Sequence, residues 1–406
     1  MIGDLFQGAV ALLLPVAAAS GYFLARQGRG SKPVASRPAG RPITAPGTHP
    51  GGLLLGLHLG PGREREPEKV IDLLISLLEA EGDTTDTHLA LAELYRRRGD
   101  VSRAIRLHQD LASTAAVPLA QRDRARLELG KDYLRSGLLD RAEEVFRTLS
   151  DLGIYPRQSL TELLDIYQQE RDWDQALLCA ERLEQVSGEP QGRIRAHLLC
   201  EKAGERLVRK DPAGAALLLQ EALAADPACV RASLMAGDLA LRAGNVDLAL
   251  AHYHRVEGQD SDFLPEAIAP LLACHRIRRT LPEILPWLRE IARRHQGATA
   301  VLALADSLRE QGEEAEAIAC LEEALRRRPS LRLLERLAEY RLAGPAVPAP
   351  GHEILIYLKD YAVRATEAQA PYRCISCGFA GRFLHWQCPG CKSWGRVKPV
   401  RGMEGE

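Results

Sequence analysis

The sequence predicts an all-α protein built as a repeat solenoid, with a membrane-spanning helix before it and a small metal-binding domain after it. Three observations carry that reading. Small and large apolar residues recur with a period near 34 residues through the middle of the chain. An uncharged, mostly apolar run occupies Leu5 to Ala25. Four cysteines, Cys374, Cys377, Cys388 and Cys391, stand as two Cys-x2-Cys pairs.

The apolar run comes first in the chain. At about 1.5 Å per residue it spans roughly 31 Å, the thickness of a bilayer core. Asp4 precedes it; Arg26, Arg29, Lys32, Arg37 and Arg41 follow, and the next acidic residue is Glu64. The positive-inside rule leaves the short N-terminus outside and the rest of the chain in the cytoplasm. A cleaved signal peptide is the competing reading, with Ala17-Ala18-Ala19 as its cleavage site. Met1-Ile2-Gly3-Asp4 lacks the positive n-region that such a peptide needs. Residues 1–26 are therefore expected to be an anchor. Residues 27–52, with Pro33, Pro38, Pro42, Pro46, Pro50 and Gly51-Gly52, read as a flexible linker.

The middle of the chain is rich in Leu, Ala, Arg and Glu, and only 5% of the residues are aromatic, which suits helices over strands. Leu304, Ala305, Leu308, Gly312, Ala317, Leu321, Ala324 and Pro329 have the offsets of a tetratricopeptide unit. They supply a first helix, a turn glycine, a small residue in the second helix and a terminating proline. Ala249 lies two periods before Ala317 and Ala215 one period earlier again, with Pro227 at the terminating position. Other units read Leu91-Ala92, Tyr95, Gly99, Ala104, Leu111, then Leu129-Gly130, Tyr133, Gly137, Ala142, Phe146, then Leu163, Tyr167, Trp173, Ala176. Eight or nine units are expected over residues 53–343, followed by a connecting helical segment over 344–369. Pro282 and Pro286 are expected to mark the interhelix turn and the second-helix start of the seventh. Such a stack presents an extended concave surface that holds peptides or protein partners.

The four cysteines have the spacing of two metal knuckles, and four thiolates complete a tetrahedral site. Gly378, Pro389 and Gly390 supply the turns. A segment over 370–402 is too small for a core of its own, so the metal supplies its folding energy. A cytoplasmic location favours thiolate–metal chemistry over disulfides. Zinc is the expected ion; iron in the same cage is the alternative and would carry one electron. Tyr372, Phe379, Trp386 and Trp394 are expected to cover the site and dock it onto the last repeat helices. Cys179, Cys200, Cys229, Cys274 and Cys320 read as isolated small core residues. His252 and His254 read as ordinary surface and interface residues, and the runs Arg96–Arg98 and Arg326–Arg328 as helix C-termini.

No catalytic constellation is expected: Gly-x-Ser-x-Gly, the phosphate-binding Gly-x4-Gly-Lys-[Ser/Thr] and His-Glu-x-x-His motifs are absent from the sequence. A net charge of −1 gives no global drive toward nucleic acid. The basic residues of the cysteine segment (Arg373, Arg382, Lys392, Arg396, Lys398 and Arg401) have no matching face elsewhere.

The order of parts resembles the lipopolysaccharide assembly protein B family. The resemblance rests on Leu12-Leu13-Leu14-Pro15-Val16-Ala17-Ala18-Ala19, on Arg98-Gly99-Asp100-Val101 through Gln109, and on Gly130-Lys131-Asp132-Tyr133 with Asp140-Arg141-Ala142-Glu143. Tyr372-Arg373-Cys374 through Trp394 and Lys398-Pro399-Val400-Arg401-Gly402 complete it. Residues 27–67, rich in Gly and Pro, depart from the family pattern. The resemblance implies a rubredoxin-like domain over the four cysteines. It implies a single-pass inner-membrane protein with a periplasmic N-terminus and cytoplasmic repeats. It further implies an adaptor that brings an LpxC-type deacetylase to an FtsH-type membrane protease, with LapA-type and YejM-type membrane proteins as further partners. A general envelope scaffold or co-chaperone is the alternative.

Overall fold

Helical hairpins follow one another along most of the chain. The computed structural model describes residues 71–72, 74–76, 84–295, 297–344, 351–403 and 405–406. The expected span and linker, and most of the first expected repeat, lie outside the described residues. Among the described residues no helix is long and apolar enough to cross a membrane.

Seven hairpins run from Thr85 to Arg327. They are α1 (Thr85–Arg98) with α2 (Val101–Ser113), α3 (Leu119–Arg135) with α4 (Leu139–Asp151), and α5 (Pro156–Glu170) with α6 (Trp173–Ser187). Next come α7 (Gly192–Val208) with α8 (Pro212–Ala225), α9 (Val230–Arg242) with α10 (Val246–Gln259), α11 (Leu264–Arg278) with α12 (Leu281–His295), and α13 (Ala298–Glu310) with α14 (Glu314–Arg327). A last hairpin joins α15 (Leu331–Ala343) to α16 (Gly351–Glu367), which pack on one another. First helices of successive repeats also touch: α1 meets α3, and α7, α9, α11, α13 and α15 meet in series, so they line one face.

The turn inside each hairpin explains the glycine spacing. Seven equivalent residues are left-handed: Gly99, Gly137, Arg171, Lys210, Gly244, Arg279 and Gly312. That conformation lets amides turn back onto the last carbonyls of the first helix, as Gly99 does onto Arg96. Glycine adopts it without a Cβ clash, and three repeats adopt it with a long cation instead. The following residue often caps the second helix: Asp100, Asp172, Asp211 and Asn245 each accept a bond from the amide three residues on.

Small residues sit where helices cross. A Cβ on Gly237 would lie 2.5 Å from the ring of Tyr253, which is fully buried between α9 and α10. Arg96 does more than close a helix. It reaches into the next repeat, bonding Asp132 at 3.0 Å and Glu128 at 2.5 Å, while His108 Nδ1 meets the other Asp132 oxygen at 2.5 Å. A fully buried carboxylate is thereby paired on both oxygens. Arg97, Arg326 and Arg327 pair within their own helices, each with a glutamate four residues back.

Two expectations change. Pro282 is the second residue of α12, whereas Pro286 lies within that helix and does not start it. Burial of Ile284, Leu285, Leu288 and Ile291 holds α12 through the missing amide. Cys179, Cys200, Cys229 and Cys274 are buried and Cys320 half-buried, but Cys200 and Cys229 are not isolated. Their thiols share a hydrogen bond between α7 and the start of α9. His254 meets the edge of Trp287 on α12, with ring centroids 5.2 Å apart.

Candidate metal centre and its seat in the solenoid

The chain after α16 forms a three-stranded antiparallel sheet in the order β2-β1-β3, with β1 (Tyr372–Cys374), β2 (Ala380–Gly381) and β3 (Val397–Pro399). Two loops of the same design hang from it. In each, the first cysteine donates its amide to the carbonyl five residues on and accepts from the amide four residues on. Cys374 pairs in this way with Phe379 (2.7 Å) and Gly378 (2.9 Å), and Cys388 with Ser393 and Lys392 (both 2.9 Å). Gly378 and Lys392, the turning residues, are both left-handed.

These loops bring Cys374, Cys377, Cys388 and Cys391 together, with all four sulfurs within 4.8 Å of one another. Cys374 to Cys391 is 3.7 Å and Cys377 to Cys388 is 3.6 Å. A tetrahedron of sulfurs around an ion at about 2.3 Å has an edge of about 3.8 Å. The cage therefore fits a tetrahedral thiolate metal with little adjustment. Hydrogen bonding to Ser393 lowers the Cys391 thiol to about 6, which favours its thiolate form. His385 stands against the Phe379 ring, at a centroid distance of 5.8 Å.

The ribbon does not dock on the last repeats alone, as the sequence suggested. It lies across the row of first helices and reaches back to the third repeat. Trp394 Nε1 donates to Gln168 on α5 at 2.7 Å, and Gln387 donates to the same oxygen at 3.2 Å. The Trp394 ring stacks on His197 of α7 at 5.1 Å, with Arg231 of α9 on it at 6.0 Å. Trp386 stacks on Phe263 at 5.3 Å and packs against both main apolar cores of the solenoid. Arg193 donates to the Gly395 carbonyl at 3.3 Å. Lys398 bonds Asp260 (2.8 Å) and Asp262 (2.7 Å), and Arg401 pairs with Asp262. Tyr372 donates to Glu266 of α11 at 2.7 Å. Beyond the ribbon, Glu406 accepts from the Thr299 amide on α13 at 3.0 Å and pairs with Arg332 on α15.

Burial between the two tryptophans and beside Arg231 and Arg193 pushes the His197 imidazole down to about 3. It is neutral at physiological pH and serves as a flat stacking surface. Lys398, Arg401 and Arg382 (which bonds the Glu367 carbonyl) are bonded within the chain, so half of the ribbon's basic set is committed to intramolecular contacts.

The four ligands are legible in the sequence; their seat is not. His197, Arg231, Glu266, Thr299 and Arg332 step along the chain by 34, 35, 33 and 33 residues. Each stands at the same place on the first helix of its own repeat, and each touches the ribbon or the chain just after it. A period search confined to apolar and small residues passes over such a polar ladder. The short acidic insert Asp260-Ser261-Asp262, where α10 gives way to α11, was a second signal, because it complements Lys398 and Arg401.

Known proteins agree with this architecture. Residues 372–399 match the family described as rubredoxin metal binding domain. Residues 87–124, 201–262 and 298–331 match tetratricopeptide repeat families. The chain is 33% identical over 395 residues to lipopolysaccharide assembly protein B of Escherichia coli strain K12, an alignment covering 97% of this chain and 98% of that protein. It is 28% identical over 403 residues to lipopolysaccharide assembly protein B of Haemophilus influenzae, with the same coverage of each. On the length of those alignments, the repeats and the metal ribbon, the chain belongs to the lipopolysaccharide assembly protein B family.

Proposed function

We propose that this protein is a non-enzymatic adaptor, tethered to the inner membrane through residues 5–25, that regulates lipopolysaccharide synthesis. In this reading it delivers an LpxC-type deacetylase to an FtsH-type membrane protease, and LapA-type and YejM-type membrane proteins adjust that delivery. The observation that carries the reading is the union of a repeat solenoid with a seated metal ribbon, in a chain collinear with lipopolysaccharide assembly protein B over 97% of its length. The basic cluster Arg26 to Arg41 supports a periplasmic N-terminus and a cytoplasmic body. Tethering confines the solenoid to the membrane surface and raises the effective concentration of its client beside a membrane enzyme, so the adaptor itself does no chemistry.

Zinc is the proposed ion. Four thiolates satisfy its tetrahedral preference. The ion would be held by Cys374, Cys377, Cys388 and Cys391 and would serve to keep Trp386 and Trp394 pointed into the solenoid.

The test is the half-life of the deacetylase in cells with and without this protein. The reading expects a longer half-life and accumulating lipopolysaccharide on depletion, and the same on Cys374→Ser. An unchanged half-life, in cells where the protease is active on the deacetylase, overturns the adaptor reading in favour of a general scaffold.

A further inference from the structure

We infer that the starts of α13 and α15 form a binding site for an extended acidic peptide of a partner protein, and that Glu406 occupies this site in cis until such a peptide displaces it. The inference shares with the adaptor reading only the premise that the solenoid holds a protein partner.

Glu406 is held as a ligand is held. Its carboxylate accepts from the Thr299 amide in the first turn of α13 at 3.0 Å, accepts from the Thr299 hydroxyl, and pairs with Arg332 on α15. A helix N-terminus, a hydroxyl and a guanidinium together make an anion site. The main chain takes part as well: the Met403 carbonyl accepts from the Leu331 amide, the first of α15, at 2.8 Å. The chain beyond the ribbon is therefore bound as a peptide, through one backbone carbonyl and one acidic side chain, across the starts of two helices.

The surroundings suit a fuller occupant than Glu406. Among the described residues, Glu406 alone lines all three of the cavities that meet here, the larger two of about 320 and 700 Å³. The first of these is backed by Val301, Leu304, Leu308 and Leu333, which suit an apolar side chain. Its other carboxylates, Glu316 and Glu323, are already paired with Arg289 and Arg327. Arg328, on the same wall, has no hydrogen bond or ion pair to its side chain among the described residues. The site thus offers a second guanidinium and an apolar wall that Glu406 does not use. A peptide with two carboxylates and an apolar side chain would use both. The Arg332 side chain is only 29% exposed, so leaving it without an anion is costly, and Glu406 departs only in exchange for another carboxylate.

The experiment is fluorescence anisotropy on the metal-loaded full chain in nanodiscs of neutral lipid. The probe is a labelled hexapeptide of alternating glutamate and leucine. Glu406→Gln should lower its dissociation constant about 10-fold or more, which corresponds to a parent site open in about a tenth of molecules or fewer. Adding Arg332→Gln to Glu406→Gln should remove that gain, and adding Arg328→Gln should remove about threefold of it. The glutamine counterpart of the probe should not bind. In the parent, saturating probe should speed hydrogen exchange at the Gly402 and Glu406 amides, whose bonds to the Glu406 and Val400 carbonyls close the returning turn. That last readout needs no substitution and stands even if a variant folds poorly. The inference is overturned if Glu406→Gln leaves probe affinity unchanged, which would make Glu406 a helix cap and nothing more. It is also overturned if the gain survives the loss of Arg332, or if inorganic phosphate competes as well as the peptide at equal concentration. Peptide binding by the purified chain succeeds or fails independently of the deacetylase half-life, so the two readings are tested apart.

Discussion

Tyr253 bonds Asp238, 15 residues away, whereas Trp394 bonds Gln168, 226 residues away. The first contact is typical of the solenoid, where each helix is held by the helices before and after it. The second is typical of the ribbon, which has three short strands, a thiolate cage and almost no core: Cys374, Cys388 and Val397 make up its buried cluster. Solenoid energy is spread over similar interfaces, so loss at one is felt mainly by its neighbours. Ribbon energy is gathered in one ion and one seat. Because the ribbon and the chain just after it together reach from α5 to α15, they convert a stack of nearest-neighbour contacts into a braced unit. The hairpins from Thr85 to Asp151 precede the seat.

The largest effect expected from this contrast is removal of one thiolate. Cys388 is fully buried at the base of the second loop. Cys388→Ser should release the metal and unfold residues 372–399, since metal-coupled folding energies are on the order of 10 kcal/mol. The solenoid should keep its far-ultraviolet circular dichroism. Hydrogen exchange should speed up in the ribbon and along the seat, at Gln168, His197 and Arg231. A Cys388→Ser protein that retains a full metal equivalent would remove the four-cysteine assignment.

Next in size is the seat. Trp394 is buried among Gln168, His197 and Arg231, and Trp394→Ala should cost about 3–5 kcal/mol of docking free energy. The ribbon should stay metal-loaded while its seat opens, giving faster exchange on α5, α7 and α9 at unchanged metal content. Leu321→Ala, at a fully buried position of α14, should cost about 2–5 kcal/mol, with its exchange signature confined to α13–α15. If the two variants gave equally local signatures, the claim that the ribbon braces distant repeats would fail.

What the sequence disclosed divides along the same line. The apolar ladder made the hairpins legible, since Ala and Gly at helix crossings recur along it and glycine marks four of the seven turns. The cage was legible because a thiolate site needs its ligands close in sequence. The seat was not, because its members are single polar side chains whose partners lie about 70 to 230 residues further along the chain. The left-handed Arg171, Lys210 and Arg279 were hidden for another reason. Glycine announces that conformation, and a cation that tolerates it does not.

A smaller effect reports the seat through pH. His197 is held near 3 in the docked state by burial, with Arg231 and Arg193 adding to the depression, against about 6.5 when exposed. The exposed form therefore binds the proton more readily, and docking is fully retained above about pH 6.5. As pH falls from about 6.5 toward 3, docking should weaken by up to about 1.4 kcal/mol per unit. His197→Asn should flatten that slope. Metal loss also destabilises the ribbon in acid, so the quantity to compare is the difference between parent and variant at matched metal content, from urea midpoints between pH 5 and 7. A parent and a variant with equal slopes would show that His197 is not desolvated by the ribbon.

The smallest effects test the solenoid half of the comparison. Arg171, Lys210 and Arg279 adopt φ near 60° at the turn where four other repeats use glycine, and all three side chains are exposed. A left-handed residue with a Cβ carries about 1–2 kcal/mol of steric cost, partly offset because glycine loses more chain entropy on folding. Each substitution to glycine should therefore stabilise by about 0.5–1 kcal/mol. The three turns lie in separate repeats with no shared partner, so the triple variant should gain about 2 kcal/mol, close to the sum of its parts. The readout is a higher denaturant midpoint at unchanged slope. Combining Trp394→Ala with a seat variant such as Gln168→Ala should behave differently, because the two side chains share one hydrogen bond and the second change should cost far less than it does alone. Additivity in the turns and its failure in the seat are the same contrast read as energy. A triple glycine variant with no gain would show that these repeats relieve their turn strain by another route.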